Sequence, residues 1–213
     1  MDKRLFDCIK ETSATIAEKN NACEKEYTAF MKSENLKECW DCWQKNLSIS
    51  LQMLRKDGFS VLEQYYNDCK DDFNALGVYY NEASNKGFVI LTEGSFELRG
   101  EVKAWAYGTS KVTLFDTARV RAFDQTEIVL HDKAYATLSD ESTCIAYDKS
   151  EVNAQGNNFV EAYNECIITA GASSHVKAYG WKKITAAGQS IVFAPLNSNI
   201  KVSGESSLKI VKS

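Results

Sequence analysis

The stretch that decides the fold is residues 112–135, which read VTLFDTAR, VRAFDQTE and IVLHDKAY in three successive blocks of eight. Each block begins with Val or Ile and has Leu or Ala at its third position, Asp at its fifth and Ala or Thr at its seventh. This alternation of apolar and polar residues indicates a short β-strand with one buried face. Asp tolerates the left-handed backbone of a tight corner. Each octad therefore predicts one strand and one turn.

The octad repeats through more than half of the chain, backwards to Phe88-x-Ile90 and forwards to Leu208-x-Ile210. Its third position is usually alanine, so the interior is thin and two sheets have to lie close together. Two octads per coil is the simplest closure. The sequence thus predicts an α+β protein with a two-sided β-solenoid, or β-roll, of about 16 residues per coil. About seven to eight coils, each rising about 4.8 Å, would form a rod on the order of 35 Å long.

The fourth position of every second octad forms an almost continuous aromatic column, which we call the aromatic ladder. Its members are Phe115, His131, Tyr147, Tyr163 and Tyr179. The intervening octads have Tyr107 and Phe123 at this position, followed by small and polar residues, so a two-octad coil places the two columns on opposite faces. Exposed aromatic patches commonly mark partner sites, and the ladder is our candidate partner-binding surface. The alternative is that the stacked side chains only stabilise neighbouring strands.

The fifth octad position holds a column of aspartates. They are Asp116, Asp124, Asp132, Asp140 and Asp148. The column is similar to that of the calcium-binding nonapeptide roll, but the paired glycines and the ninth residue of that motif are missing. We therefore expect these residues to turn corners and not to bind calcium.

Residues 1–84 predict a helical capping or interaction domain of four helices, and residues 85–213 predict the solenoid. Asn35 with Glu38 three residues later reads as a capping box at the start of the third helix. Asp57-Gly58 is a suitable end for that helix. A solenoid needs its ends covered, so we expect the helical domain to act as the N-terminal cap.

Cys39-x-x-Cys42 is the one motif of this helical region with possible chemistry. A zinc site would need two further ligands from Cys8, Cys23 and Cys69, and the region has no histidine. A redox role would need a βαβ context, which the pattern does not predict. Buried, reduced cysteines are the favoured interpretation, so neither a metal nor a cofactor is expected.

The chain has 213 residues, of which 44% are hydrophobic, and a net charge of −4. The acidic excess lies in residues 1–95, with 16 acids and 12 bases. This balance argues against direct binding of nucleic acid through the whole surface. The sequence contains neither a signal-peptide pattern nor a long apolar run, so we expect no membrane association and a cytoplasmic location, which is the host cytosol if a phage encodes the protein.

No catalytic constellation is visible in the sequence. His131 and His175 are the two histidines, and neither lies in a metal, triad or nucleophile-elbow motif. Glycine loops that cradle phosphate are also missing. The sequence therefore predicts a protein that is not an enzyme.

Two segments resemble little-studied octapeptide-repeat proteins of gut and Bacteroidetes-type bacteria and their phages. The first is Asn20-Asn21-Ala22-Cys23 followed by Leu36-Lys37-Glu38-Cys39-Trp40, and the second is the set of octads in residues 104–194. The resemblance implies an origin in a mobile element and assigns no catalytic residue.

Three functions remain open at this point. The first is a non-catalytic protein-binding module, such as an inhibitor of a host defence ribonucleoprotein of the CRISPR effector type. The second is a structural phage or surface component in which the solenoid is a spacer or a trimerising stalk. The third is a cysteine-dependent metal-binding regulator. The oligomeric state is open in all three.

Overall fold

A computed structural model describes residues 3–45, 50–52, 55, 59–179, 183–196 and 198–211. The chain divides into two compact units, Met1–Gly77 and Val78–Ser213. The first unit is helical and the second is a parallel two-sheet β-solenoid of about seven turns, which confirms the predicted fold class. No helix in the described ranges is long and apolar enough to cross a membrane.

Five helices are described in the first unit. They are α1 (Lys3–Lys19), α2 (Glu24–Met31), α3 (Leu36–Lys45), α4 (Phe59–Asp68) and α5 (Lys70–Ala75). The sequence pattern predicted one last helix from Ser60 to about Leu76, but the chain breaks at Cys69, whose φ of −130° departs from helical geometry. The proposed helix end at Asp57-Gly58 lies outside the described residues.

Two short motifs of the first unit begin and end helices. The Asn35 side chain accepts the Glu38 backbone N–H at 3.0 Å, as the capping box predicts, while the Glu38 carboxylate accepts the N–H of Glu34 at 2.8 Å. At the end of α1, the Asn20 side chain donates to the Ile16 carbonyl at 2.9 Å, and Asn21 has a φ of 52°. The motif residues of the N-terminal resemblance thus have local structural roles in this chain.

The second unit has seventeen described strands. They are β1 (Val78–Tyr80), β2 (Phe88–Leu91), β3 (Ser95–Leu98), β4 (Lys103–Ala106), β5 (Lys111–Leu114), β6 (Arg119–Ala122), β7 (Glu127–Leu130), β8 (Tyr135–Leu138), β9 (Thr143–Ala146), β10 (Glu151–Ala154), β11 (Phe159–Ala162), β12 (Ile167–Ala170), β13 (His175–Ala178), β14 (Lys183–Ala186), β15 (Ile191–Pro195), β16 (Asn199–Val202) and β17 (Ser207–Val211). The first sheet contains β1 and the even-numbered strands, and the second sheet contains the odd-numbered strands from β3. All pairs are parallel.

The two sheets share one apolar interior, which the first and third octad positions fill. Val112 and Leu114 are buried, and they pair in register with Ile128 and Leu130 of the next coil. Cys144 occupies the same column as Ile128 and is likewise buried, so it serves as a small apolar residue of the core.

The first coil departs from the predicted register. The sequence pattern placed Phe88 and Ile90 inward, but Val89 and Leu91 are the residues that join the solenoid core and pair with Ala104 and Ala106. Phe88 and Ile90 are also buried, but on the other face of the strand. The turn between β2 and β3 is one residue shorter than the turn between β3 and β4, and Gly94 takes a φ of 90° there. A shift of one residue exchanges the two faces of a strand, which explains the difference.

The structure also places Val78–Tyr80 in the solenoid, although the sequence pattern assigned these residues to the helical domain. This strand, β1, pairs with β2 from Val78 opposite Phe88 to Tyr80 opposite Ile90. The helical unit accordingly ends at Gly77.

The aspartate column turns the corners, as predicted. All five aspartates have φ between 53° and 59°, the left-handed region in which Asp and Asn are enriched. Their carboxylates have a second role, because each accepts a backbone N–H from the corner of the preceding coil. Asp132 accepts the N–H of Asp116 at 3.0 Å, and Asp148 accepts that of Asp132 at 3.1 Å. The fifth position therefore shapes the corner and satisfies its backbone donor.

The Asp132 corner provides a test of these two roles. Asp132→Ala should lower the free energy of unfolding by about 1–2 kcal/mol, because alanine disfavours left-handed backbone and leaves the Asp116 N–H without its acceptor. The matched control, Asp132→Asn, keeps the corner conformation and an acceptor oxygen, so its stability should stay within about 0.5 kcal/mol of the parent. Urea unfolding measures both changes. Equal losses for the two variants would contradict the double role.

Candidate functional site

The aromatic ladder runs along one border of the second sheet. Each ring belongs to the residue that directly follows a strand of that sheet, from Phe115 after β5 to Tyr179 after β13. The backbone N–H of Phe115 still bonds to Leu98 of the preceding coil at 2.9 Å, so the strand alternation continues to this position and directs the ring outward.

The five rings form one continuous stack. The ring centroids of successive members are 4.9, 5.1, 5.1 and 4.7 Å apart, and the planes of adjacent rings deviate by 17° at most. These separations match the rise of one coil, about 4.8 Å. The backbone repeat therefore sets the stacking distance, and the structure brings together all five residues that the sequence analysis selected.

The ring faces are largely occupied by this stacking. His131, Tyr147 and Tyr163 each have a ring on both sides, and the guanidinium carbon of Arg99 lies 3.8 Å above the Phe115 ring. Binding sites that stack nucleobases offer an open aromatic face. The inner ladder instead offers ring edges and tyrosine hydroxyls to a partner.

Charged side chains lie next to the polar atoms of two ladder residues, Tyr163 and His131. The Tyr163 hydroxyl donates to the Glu161 carboxylate at 3.1 Å, and Lys177 lies 3.8 Å from Glu161. Desolvation and the hydrogen bond to Glu161 raise the pKa of Tyr163 to about 12, so this hydroxyl remains a donor at neutral pH. His131 Nδ1 lies 3.8 Å from the Asp148 carboxylate.

Exposed apolar side chains extend the ladder across the outer face of the second sheet. Ile145 is two residues before Tyr147 on the same strand face, and Phe159 lies one strand further on. Their exposed fractions are 36% and 45%. The sequence analysis missed both residues because it followed only the fourth octad position. The second and eighth positions, which also point outward, carry the signal that would have found them.

The opposite column differs from the ladder, in agreement with the predicted separation. Tyr107 and Phe123 follow strands of the first sheet and stack at 4.8 Å, and Trp105 lies 5.5 Å from Phe123. Tyr107 and Trp105 are buried, whereas the ladder rings are half-buried or exposed. The two faces of the solenoid are therefore chemically unlike.

No family model, no curated protein and no solved structure matches this chain. The resemblance to octapeptide-repeat proteins therefore stays a prediction.

The Cys39-x-x-Cys42 motif lies on α3. Cys39 is buried beside Phe6 and Phe30, and burial raises the pKa of its thiol to about 11. The Cys42 Sγ is 4.0 Å from the Ser33 hydroxyl. Within the described ranges, no group of three or more His, Cys, Asp or Glu side chains has the arrangement of a metal site.

Thiol reactivity tests the cysteine assignment. At a pH of about 7.5, the exposed Cys8 and Cys23 should react with a disulfide reagent first, while Cys39 and Cys144 should react much more slowly. The reason is that burial raises the pKa of both inner thiols and lowers their thiolate fraction, so their rates should rise as the pH increases. Release of zinc when the denatured chain is titrated would contradict the assignment and restore the metal-binding interpretation.

Proposed function

We propose that this protein is a non-catalytic protein-binding module, and that the aromatic ladder is its contact surface. The observation that carries the proposal is the continuous strip of half-buried and exposed rings on the second sheet, which Ile145 and Phe159 widen. Apolar strips of this kind commonly mark partner sites, and tyrosine is enriched where partners bind most strongly.

The chemistry of the ladder favours a polypeptide as the partner. Since most ring faces are covered, the strip presents flat apolar edges together with the Tyr147, Tyr163 and Tyr179 hydroxyls, an arrangement that suits contact with side chains and peptide groups. The strip is also rigid, because hydrogen bonds between coils hold each strand on both sides. A preorganised surface loses little conformational entropy on binding.

The finer proposal names the partner as a host defence ribonucleoprotein, of the type that a phage-encoded inhibitor would occlude. It rests on the resemblance to octapeptide-repeat proteins of bacteria and phages. The net charge of −4 favours contact with the protein component of such a complex over contact with its nucleic acid.

One observation favours the second candidate, a structural spacer. Val202 and Leu208 occupy inward positions of the last described coil, in register with buried Ala186 and Val192, yet both are exposed. Exposed apolar residues beside open strand edges can pair with further strands, as a repeating assembly requires. The cysteine-dependent regulator has no comparable support among the described residues.

A matched pair of surface variants tests the ladder as a binding face. Ile145→Glu places a charge beside Tyr147 on the second sheet, and Ile167→Glu places the same charge on the first sheet at nearly equal exposure, 36% against 37%. In affinity capture from extracts of the host cell, Ile145→Glu should lose partners that the parent retains, whereas Ile167→Glu should retain them. Desolvating an unpaired charge in an interface costs several kcal/mol, roughly a hundredfold or more in affinity.

Equal capture by both variants would contradict the ladder proposal. Size exclusion with light scattering distinguishes the binding module from the spacer, because we expect the binding module to have the mass of one chain, near 23.9 kDa. A stable trimer would favour the spacer.

A further inference from the structure

Three cations form a cluster on the outer face of the first sheet. Lys103 on β4 lies directly opposite Arg119 on β6, and Arg121 lies two residues further along β6, opposite Trp105. All three cationic side chains are exposed. We call these three residues the cationic cluster, and it lies on the sheet that does not carry the aromatic ladder.

The cluster departs from the paired charges found at several other places in the solenoid. Lys111 lies 2.9 Å from Glu127 one coil away, and Lys149 lies 3.7 Å from Glu165. Lys183 and Lys201, in contrast, are single cations opposite uncharged residues. The aspartate column also stacks like charges, but its carboxylates accept backbone N–H groups. In the described part of the chain, no member of the cationic cluster has a carboxylate within 4.0 Å.

The strands on either side supply no compensating charge. In register with the cluster, β2 has Phe88 and Ile90, which are buried, and β8 has Tyr135 and Thr137, which are half-buried. Like charges directly opposite one another on a sheet are destabilising. The neighbouring strands therefore do not offset the repulsion between these cations. A bound anion would offset it.

Aromatic rings hold the two guanidinium groups in place. Arg121 lies 5.1 Å from the centroid of the Trp105 ring, and Arg119 lies 6.0 Å from that of Tyr135. Such cation–π contacts constrain the guanidinium and leave its N–H groups available to an anion. The two guanidinium groups are therefore constrained before any ligand arrives.

We propose that the cationic cluster binds an acidic polypeptide segment, with carboxylates as the recognised groups. A guanidinium presents two parallel N–H donors that match a carboxylate, and Lys103 adds a third charge one strand away. Three cations suit a ligand with a few carboxylates. A nucleic acid site typically makes roughly six to ten phosphate contacts, which suits a chain with a net charge of −4 less well. This surface does not depend on the ladder, so either one can fail without the other.

The test uses the full chain and a fluorescein-labelled oligoglutamate peptide of about ten residues at low ionic strength, where screening is weak. Fluorescence anisotropy should show binding that weakens as salt is added. The double variant Arg119→Gln/Arg121→Gln should bind about fivefold to tenfold more weakly, as expected for the loss of two exposed ion pairs. The matched control is Lys183→Gln/Lys201→Gln, which removes the same charge from the same sheet further along the solenoid and should bind like the parent.

Three results would overturn the proposal. One is the absence of peptide binding at low salt, and another is an equal loss in the cluster variant and the control. The third is tighter, cluster-dependent binding of an oligothymidylate of the same length, which would identify the ligand as a phosphate polymer. Circular dichroism of both double variants should match the parent, because the substituted side chains point away from the core.

Discussion

The structure depends on one backbone constraint, the left-handed corner that closes most of the octads. A parallel coil keeps a constant register where its turns have the same length and their backbone donors are satisfied. Asp132 meets both needs, since it adopts positive φ and its carboxylate accepts the N–H of Asp116 in the preceding coil. Where the corner is not Asp, the same conformation recurs at Asn164 and Gly188, which tolerate it for different reasons. The stacking of every outward side chain follows from this regularity.

The aromatic ladder is the clearest consequence. When coils rise by about 4.8 Å, planar rings at one octad position are brought to stacking distance without any further adjustment. Stacking and the proposed binding would use different parts of the same rings, because the faces of Tyr147 and Tyr163 stack within the solenoid while their edges remain at the surface. We therefore regard the packing and binding interpretations as compatible. The ring edges at this border are what the fold leaves available to a partner.

The same coil geometry determines which exposed charged side chains lie next to one another. An exposed residue meets the residues one coil before and after it, so the sign of the charge at that spacing decides whether the pair stabilises the sheet. Lys111 and Glu127 make a favourable pair, whereas Lys103 and Arg119 make an unfavourable one on the opposite sheet. An anionic ligand would gain binding free energy by relieving the repulsion between Lys103 and Arg119, which is already present in the folded protein. The two faces thus differ, with the aromatic ladder on one and the cationic cluster on the other.

The sequence by itself determined the two-sided coil, the corner role of the aspartates and the ladder, because each depends on a periodicity that any pair of adjacent octads repeats. It also predicted the capping box at Asn35, a local motif. Only the tertiary structure decided that Val89 and not Phe88 faces the interior, since a single shorter turn at Gly94 shifts the register and leaves no periodic signal. The exposure of Ile145 beside the ladder, and the lack of a carboxylate beside Arg119 among the described residues, likewise depend on neighbours one coil away and on how far each side chain is covered. Those are properties of the packed coil, and no single octad contains them.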